Sequence, residues 1–486
     1  MKQKTISQNA ILNIIYTLTN MIFPILTFPY VSRKLLVESM GRISFYQSVS
    51  NYAIMVSSLG ISTYGIRAVA RCRDNKIRLA KIIHELLIIN ITGTGIVIVI
   101  ILIFSFFVDR LRTDSILLLI NILLIISAPL GVNWLYSGLE QYSFITKRSI
   151  AVKAFSLVAI YVFVKSKEDY SVYALIIALS SITTNIINFI YCRRFISFLR
   201  TEHSYKQHIK PLMLLFSSIL AINIYTHLDS AMLGFICDDR QVGLYTVAVY
   251  VKSALLTLVN AISAVLLPRV SYFFSKDNQE ALFSLLKKSI STIFMISVPL
   301  TIFFILEAKD CVLILGGEKY IDSVSSMQII MPVLLISGFS NISGNQILIP
   351  QGKDSFFMKA VVCGACADLI LNALLMPRYG CIGAAVATLI AEIIQMSIQM
   401  YFARNYIFSN IKKHSIMLIV TATCASSLVL IIVRNILSTS FYTFQFIICS
   451  ATFFISYFTI LLMEKEEYFI SYLRVIKENV LVGDRK

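Results

Sequence analysis

Charge is what this chain has least of. Only 14% of its 486 residues are Asp, Glu, Lys or Arg, while 57% are hydrophobic. A water-soluble domain carries about 25% charged and about 45–50% apolar residues, so the shortage excludes an ordinary soluble fold. Strict alternation of apolar and polar residues is also missing, which excludes the ~10-residue strand pattern of a membrane β-barrel. No G-x-x-x-x-G-K-[ST] occurs, so the chain carries no P-loop of its own. His84-Glu85 is not completed to H-E-x-x-H, and the five histidines lie far apart, which argues against a zinc-protease helix. The nine cysteines are scattered. Cys363 and Cys366 form a C-x-x-C, but inside an apolar run with no second pair and no histidine beside it. They read as small apolar filler rather than a metal or redox pair. The large external loop or acidic cluster expected of a membrane polymerase or glycosyltransferase is absent as well. Asp238-Asp239, the one adjacent acidic pair near an outer span end, reads as a solvated turn.

What the sequence does have is long apolar runs. Runs of roughly 18 or more such residues recur along nearly the whole chain, each able to cross a ~30 Å hydrocarbon core as a helix. Backbone amides inside lipid must be satisfied within their own segment, so these runs read as helices. Fourteen spans are expected, at about 10–31, 43–64, 83–107, 115–136, 149–164, 172–191, 212–236, 244–267, 289–306, 326–349, 360–376, 384–403, 416–433 and 442–463. The first follows the polar stretch "MKQKTISQN". No small-residue cleavage site ends it, so it reads as an uncleaved span.

The cations set the orientation. With the N-terminus inside, 29 of the 43 Lys and Arg fall on the cytoplasmic side and 12 outside, with Lys153 and Lys252 inside spans. That bias places both termini in the cytoplasm. The net charge of +17 is then mostly a topology signal. The cations are dispersed over loops with no folded basic module, so nucleic acid is not an expected partner.

Internal similarity points to repeated halves. "KSKEDYSVYALIIALSSI" (165–182) is similar to "MPRYGCIGAAVATLIAEI" (376–393), and "ESMGRISFYQS" (38–48) to "DRQVGLYTVAV" (239–249), where Gly41 and Gly243 open the following spans. The expected organisation is an N-terminal lobe of six spans (1–211), a C-terminal lobe of six (212–403), and two extra spans with a cytoplasmic tail (404–486). Repeats with a site between them are a common transporter plan.

Ionisable residues within spans are expensive and usually face a cavity or a partner. Lys252 and Lys153 are candidates for holding an anion; snorkelling is the alternative for Lys153, and an ion pair with Asp229 for Lys252. Asp229, Asp368 and Glu392 could carry protons, because burial raises a carboxyl pKa, or could serve as helix–helix hydrogen bonds. His227 is a candidate relay or a polar packing residue. In "FPYVSRKLLVESMGRISFYQS" (28–48), Arg33, Lys34 and Arg42 run against the positive-inside bias on the outer face. They read as headgroup contacts or as a cationic rim.

Five segments carry a family resemblance. "ILTFPYVSRKL…GRISFYQSVSNYAIMVSSLGISTYGIRAVARCRDN" (25–75) closely resembles the N-terminal signature of Wzx-type O-antigen flippases. "APLGVNWLYSGLEQYSFITKRS" (128–149), "DSAMLGF…QVGLYTVAVYVKS" (229–253), "LPRVSY" (267–272) and "LLMPRYGCIGAAVATLIAE" (374–392) agree with it. The resemblance implies an all-α polytopic membrane protein of the multidrug, oligosaccharidyl-lipid and polysaccharide exporter superfamily. It implies two six-helix lobes around a central cavity, with two additional C-terminal helices here. It implies a bacterial inner membrane and an undecaprenyl-pyrophosphate-linked repeat unit, moved from the cytoplasmic to the periplasmic leaflet. A polysaccharide polymerase and a chain-length regulator are the implied protein partners. Arg67, with Tyr64-Gly65, lies in a segment typical of the family, as do Asp229 and Gly234. Alternating access is the expected mechanism, with Lys252, Lys153, Arg33, Arg42 and Arg67 as substrate-binding candidates. No cofactor is expected; the energy would come from a proton or sodium gradient or from substrate removal downstream. A drug or cation antiporter, a lipid II flippase and a membrane polysaccharide polymerase are the alternatives.

Overall fold

The computed structural model describes residues 6–195, 204–276, 278–407, 410, 412–437, 442–471 and 474. By contacts it divides into two compact units, Met1–Gly243 and Leu244–Lys486. Among the described residues the regular elements are all helical, and each of the fourteen apolar runs is largely helical, with breaks inside those at 43–64, 115–136 and 326–349. Nine helices, or ten if one bent pair is a single span, are long and apolar enough to cross a membrane among the described residues.

In the first unit the helices are α1 (Ile6–Lys34), α2 (Val37–Ser58), α3 (Ile61–Cys72), α4 (Lys76–Phe107), α5 (Asp109–Arg112), α6 (Ser115–Ser127), α7 (Asn133–Gly138), α8 (Tyr142–Phe163), α9 (Tyr170–Cys192) and α10 (Lys206–Ile236). The helix α11 (Asp239–Ser275) begins in it. The run expected as one span over 43–64 is broken. Leu59 (φ 47°) and Gly60 (φ 80°) are both left-handed, and α3 departs from α2 by 40°. Two successive left-handed residues cannot continue a right-handed helix. Helix starts follow local chemistry: the side chains of Asn75 and Asp114 accept from the N–H groups of Arg78 and Leu117, capping α4 and α6. Helices α3, α4 and α7 bury Ile61, Val69, Ile83, Leu86, Leu135 and Tyr136 in one apolar core.

The second unit contains α12 (Gln279–Leu306), α13 (Ala308–Leu315), α14 (Ser323–Ile330), α15 (Val333–Asn341), α16 (Asp354–Ile407), α17 (Lys413–Ile436) and α18 (Tyr442–Met463). Between α15 and α16, residues Ile342–Leu348 widen into a π-helical turn. The two runs expected at 360–376 and 384–403 are joined in α16 and kinked at Gly380, whose φ of 53° and ψ of −129° suit only glycine. Helices α17 and α18 pack on each other and on α12, where Tyr457 donates to the Met295 carbonyl at 2.9 Å and Phe303 meets Phe453.

Candidate functional site

Outside the apolar cores, the first unit gathers many of its described polar side chains at both ends of its helices and around an interior cavity. At one end, residues from segments 32–42, 108–114, 165–171 and 237–243 meet. The sequence assigned all four to the outer face. Arg42 Nε donates to Asp239 Oδ2 at 3.0 Å and its Nη1 lies 3.5 Å from Asp114 Oδ2. Arg110 Nη2 pairs with Asp239 Oδ1, and its Nε donates to the Gly234 carbonyl at 2.6 Å. Tyr170 OH donates to Asp114 Oδ2 at 2.9 Å, and Tyr46 OH donates to the Leu111 carbonyl at 3.0 Å while accepting from the Asp114 N–H at 3.1 Å. Arg110 also lies over the Phe45 ring at 5.0 Å. Both aspartates are buried and both arginines partly exposed. Two cations and two anions leave the cluster with no net charge, so Arg42 faces carboxylates rather than standing as an open cationic rim. The solvated-turn reading holds for Asp238, whose side chain accepts from the Gln241 N–H at 2.8 Å. It fails for Asp239, which is only 9% exposed and bonded to two arginines.

The backbones here are closer than side chains would allow. A Cβ on Gly41 would stand 1.7 Å from the Asp239 carbonyl oxygen, and one on Gly243 would stand 2.2 Å from the Val37 carbonyl oxygen. The two glycines noticed as counterparts in the internal repeat therefore pack α2 and the start of α11 directly against each other.

At the opposite end, Arg148 is buried, 7% exposed, and bonded to neutral amides: its Nη1 to Asn188 Oδ1 and its Nη2 to Asn133 Oδ1 at 3.2 Å. No carboxylate lies within ion-pair distance of it among the described residues. Nearby in the fold, Glu85 is fully buried and accepts from His208 Nε2 at 2.8 Å and from the Ser204 N–H at 2.6 Å. Tyr64 OH meets His208 Nδ1 at 2.8 Å. Sequence reading missed both groups, because their members stand 40 and 123 residues apart. Only the charge and polarity of Arg148 and Glu85 at apolar-run ends could have flagged them.

The remaining sequence candidates are dispersed. Lys153 is half-buried on α8; its ammonium donates to Asn20 Oδ1 on α1 and lies 5.4 Å from the centre of the Phe23 ring. Arg33 and Arg67 are exposed, at the end of α1 and on α3. Asp229 is buried on α10 in the first unit. Lys252 is half-buried on α11 in the second unit, and Asp368 and Glu392 are buried on α16, on either side of its Gly380 kink. The His227 side chain lies outside the described residues.

The second unit carries an acidic group of its own. Glu307, just beyond the end of α12, and Asp310 are buried beside Arg434, whose Nη1 and Nη2 lie 3.8 and 4.0 Å from them. Burial pushes the Glu307 carboxyl up to about 7; Arg434 opposes the shift and Asp310 adds to it.

Comparison with known proteins places this arrangement. An Escherichia coli (strain K12) protein named "Putative O-antigen transporter" is 24% identical over 390 residues, covering 80% of this chain and 94% of that one. The structure titled lipid II flippase MurJ, inward closed conformation, superposes with a TM-score of 0.69 at 16% identity, covering 93% of this chain and 99% of that one. An inward-facing multidrug resistance transporter of the MATE family superposes at 0.63 and 14% identity, covering 82% and 96%. The last two establish an exporter-type fold. The family described as polysaccharide biosynthesis protein matches residues 6–274, more than half of the sequence, and the chain belongs to that family.

Proposed function

We propose that this protein is a flippase that moves undecaprenyl-pyrophosphate-linked polysaccharide repeat units, of the O-antigen kind, from the cytoplasmic to the periplasmic leaflet of a bacterial inner membrane by alternating access. The observation that carries the reading is the family match over residues 6–274, on a fold shared with a lipid II flippase across 93% of the chain. The physical problem fits such a fold. A prenyl tail is at home in hydrocarbon, but a sugar headgroup must not be stripped of hydrogen bonds while crossing it. Polar side chains at membrane depth, such as Asn51, Asn90 and Asn185, offer those bonds in place of water.

Asp229, Asp368 and Glu392, with His227, remain the candidates for coupling to a proton or sodium gradient. Lys252, Lys153, Arg33, Arg42 and Arg67 remain those for contact with the pyrophosphate and sugars. Of these, Arg42 already has two carboxylate partners, so it suits gating better than binding. Both termini face the cytoplasm in this reading, and a polymerase and a chain-length regulator act downstream.

The test is complementation. A strain deleted for its own repeat-unit flippase, supplied with this chain and the neighbouring glycosyltransferase genes, should regain surface polysaccharide ladders. Lipid-linked units that stay in the cytoplasmic leaflet despite membrane insertion of the chain would refute the reading.

A further inference from the structure

The first unit encloses a cavity of about 280 Å³. It lies among α2, α3, α4, α6 and α9, and its wall has an unusual chemistry for membrane depth. Six of its residues are neutral and polar: Asn51 and Ser58 from α2, Ser62 from α3, Asn90 from α4, and Ser181 and Asn185 from α9. None of its lining residues is charged. Trp134, the single tryptophan of the chain, forms part of the wall. Amides and hydroxyls offer both donors and acceptors, and an aromatic ring offers an apolar face. That combination fits a neutral polyhydroxylated ring. A pyrophosphate would find no cation in the wall and a cationic drug no carboxylate.

Two details show that the wall is held open rather than left by loose packing. Gly65 seats the indole, since a Cβ there would stand 2.6 Å from Trp134 Cε3. Gly131 leaves room for the Asn185 amide, since a Cβ there would stand 2.5 Å from its Oδ1. The Asn185 Nδ2 is anchored by donating to Ser127 Oγ at 3.1 Å. Asn90 is the independent pointer to a ligand. It is 8% exposed, lines the cavity, and its Oδ1 has no hydrogen-bond partner among the described residues. A buried acceptor without a donor is costly and rare. Asn51, Ser62 and Ser181 are exposed, giving the cavity an entrance lined by the same chemistry. Its volume is just below the roughly 300–1,000 Å³ of sites for drug-sized ligands, which suits one sugar ring and not several.

We infer that this cavity is a binding site for a single neutral sugar residue, with Asn90 Oδ1 accepting from a sugar hydroxyl. The inference rests on the flippase reading for its biological sense, the ring being one unit of the transported oligosaccharide.

Trp134 makes the test direct, because tryptophan emission excited at the red edge reports this cavity alone. The purified full chain in detergent would be titrated with the methyl glycosides of glucose, galactose, N-acetylglucosamine and rhamnose, with sorbitol as the open-chain control and the Trp134→Phe variant as the blank. At least one glycoside should change the emission saturably while sorbitol does not. Asn90→Leu should raise the half-saturating concentration about tenfold, the effect of leaving one buried hydroxyl unpaired. Asn51→Phe, which fills the cavity from an exposed position, should abolish the response with little effect on folding. No saturable change with any of the four glycosides would overturn the site, as would a response unaltered in both variants. Complementation by the wild-type chain without a sugar-responsive Trp134 would sink this site alone. A saturable response without complementation would sink the flippase reading and leave the site standing.

Discussion

Replacing Gly41 with alanine tests the tightest glycine packing among the described residues. The added methyl would lie 1.7 Å from the Asp239 carbonyl oxygen and 2.6 Å from the Gly243 nitrogen. A carbon-to-oxygen contact relaxes only at about 3.3–3.6 Å, so α2 and the start of α11 must separate by about 1.6 Å or more. Both obstacles are backbone, which cannot rotate away. Overpacking of this kind destabilises by about 1–3 kcal/mol, and a backbone clash belongs at the upper end. Alanine's better helix propensity returns about 1 kcal/mol, leaving a net loss of about 2 kcal/mol. In a unit of this size that lowers Tm by about 4–8 °C. The assay is thermal unfolding of the purified full chain in detergent, followed by size-exclusion chromatography. Gly95→Ala is the matched control, because nothing lies within 4 Å of a Cβ at Gly95; that variant gains propensity without the clash and should melt about 2–4 °C higher. A Gly41→Ala protein that melts at or above wild type would show that the two helices are not in backbone contact.

Two further predictions follow from buried charges. Asp239→Asn keeps the shape of the cluster but leaves Arg42 with Asp114 alone and takes from Arg110 the carboxylate it pairs with. Because both arginines are partly exposed, the loss should be below the about 3–5 kcal/mol seen when a fully buried pair is broken, and a melting point equal to wild type would refute the cluster's structural role. Glu307→Gln tests the acidic group of the second unit. The Glu307 carboxyl is raised to about 7 from an ordinary value of 4.5. The folded protein therefore holds the proton more tightly than the unfolded one, so this group's stabilising contribution is full below 4.5 and is lost as pH rises through 7. Wild-type stability should fall between those limits, and the glutamine variant should fall less and be the more stable at pH 8; parallel curves would refute it.

The helices were legible in the sequence because hydrocarbon thickness dictates the length of an apolar run. That these loops share one end was legible too: the segments around Arg42, Asp114, Tyr170 and Asp239, all assigned to one side by the cation bias, converge in one cluster. Local breaks were not. The bend at Leu59-Gly60 interrupts an unbroken apolar run, and the Gly380 kink joins two runs that a loop was expected to separate. Both turn on the φ angles of one or two residues, which composition does not encode. The polar pairings were invisible for a different reason. Arg148 finds Asn133 and Asn188, and Glu85 finds His208, only through tertiary packing. Gly41 and Gly243 hold equivalent places in two similar segments, but their packing against each other does not follow from that similarity. Asn90 and Trp134 passed as ordinary members of apolar runs, since an uncharged cavity has no charge signature.

The outer cluster also has a consequence in time. Arg42 pairs with Asp114, 72 residues later, and with Asp239, 197 residues later. At synthesis rates of about 5–20 residues per second, the second partner emerges roughly 10–40 s after Arg42. During that interval Arg42 and Arg110, which the cation count assigns to the outer face, stand with one of the two aspartates that neutralise them not yet made. Arrival of Asp239 closes the charge balance and presses Gly243 onto Gly41 in the same event. The start of α11 is thus needed to complete the packing of the first unit, and chains that end before it should be less stable than those that include it.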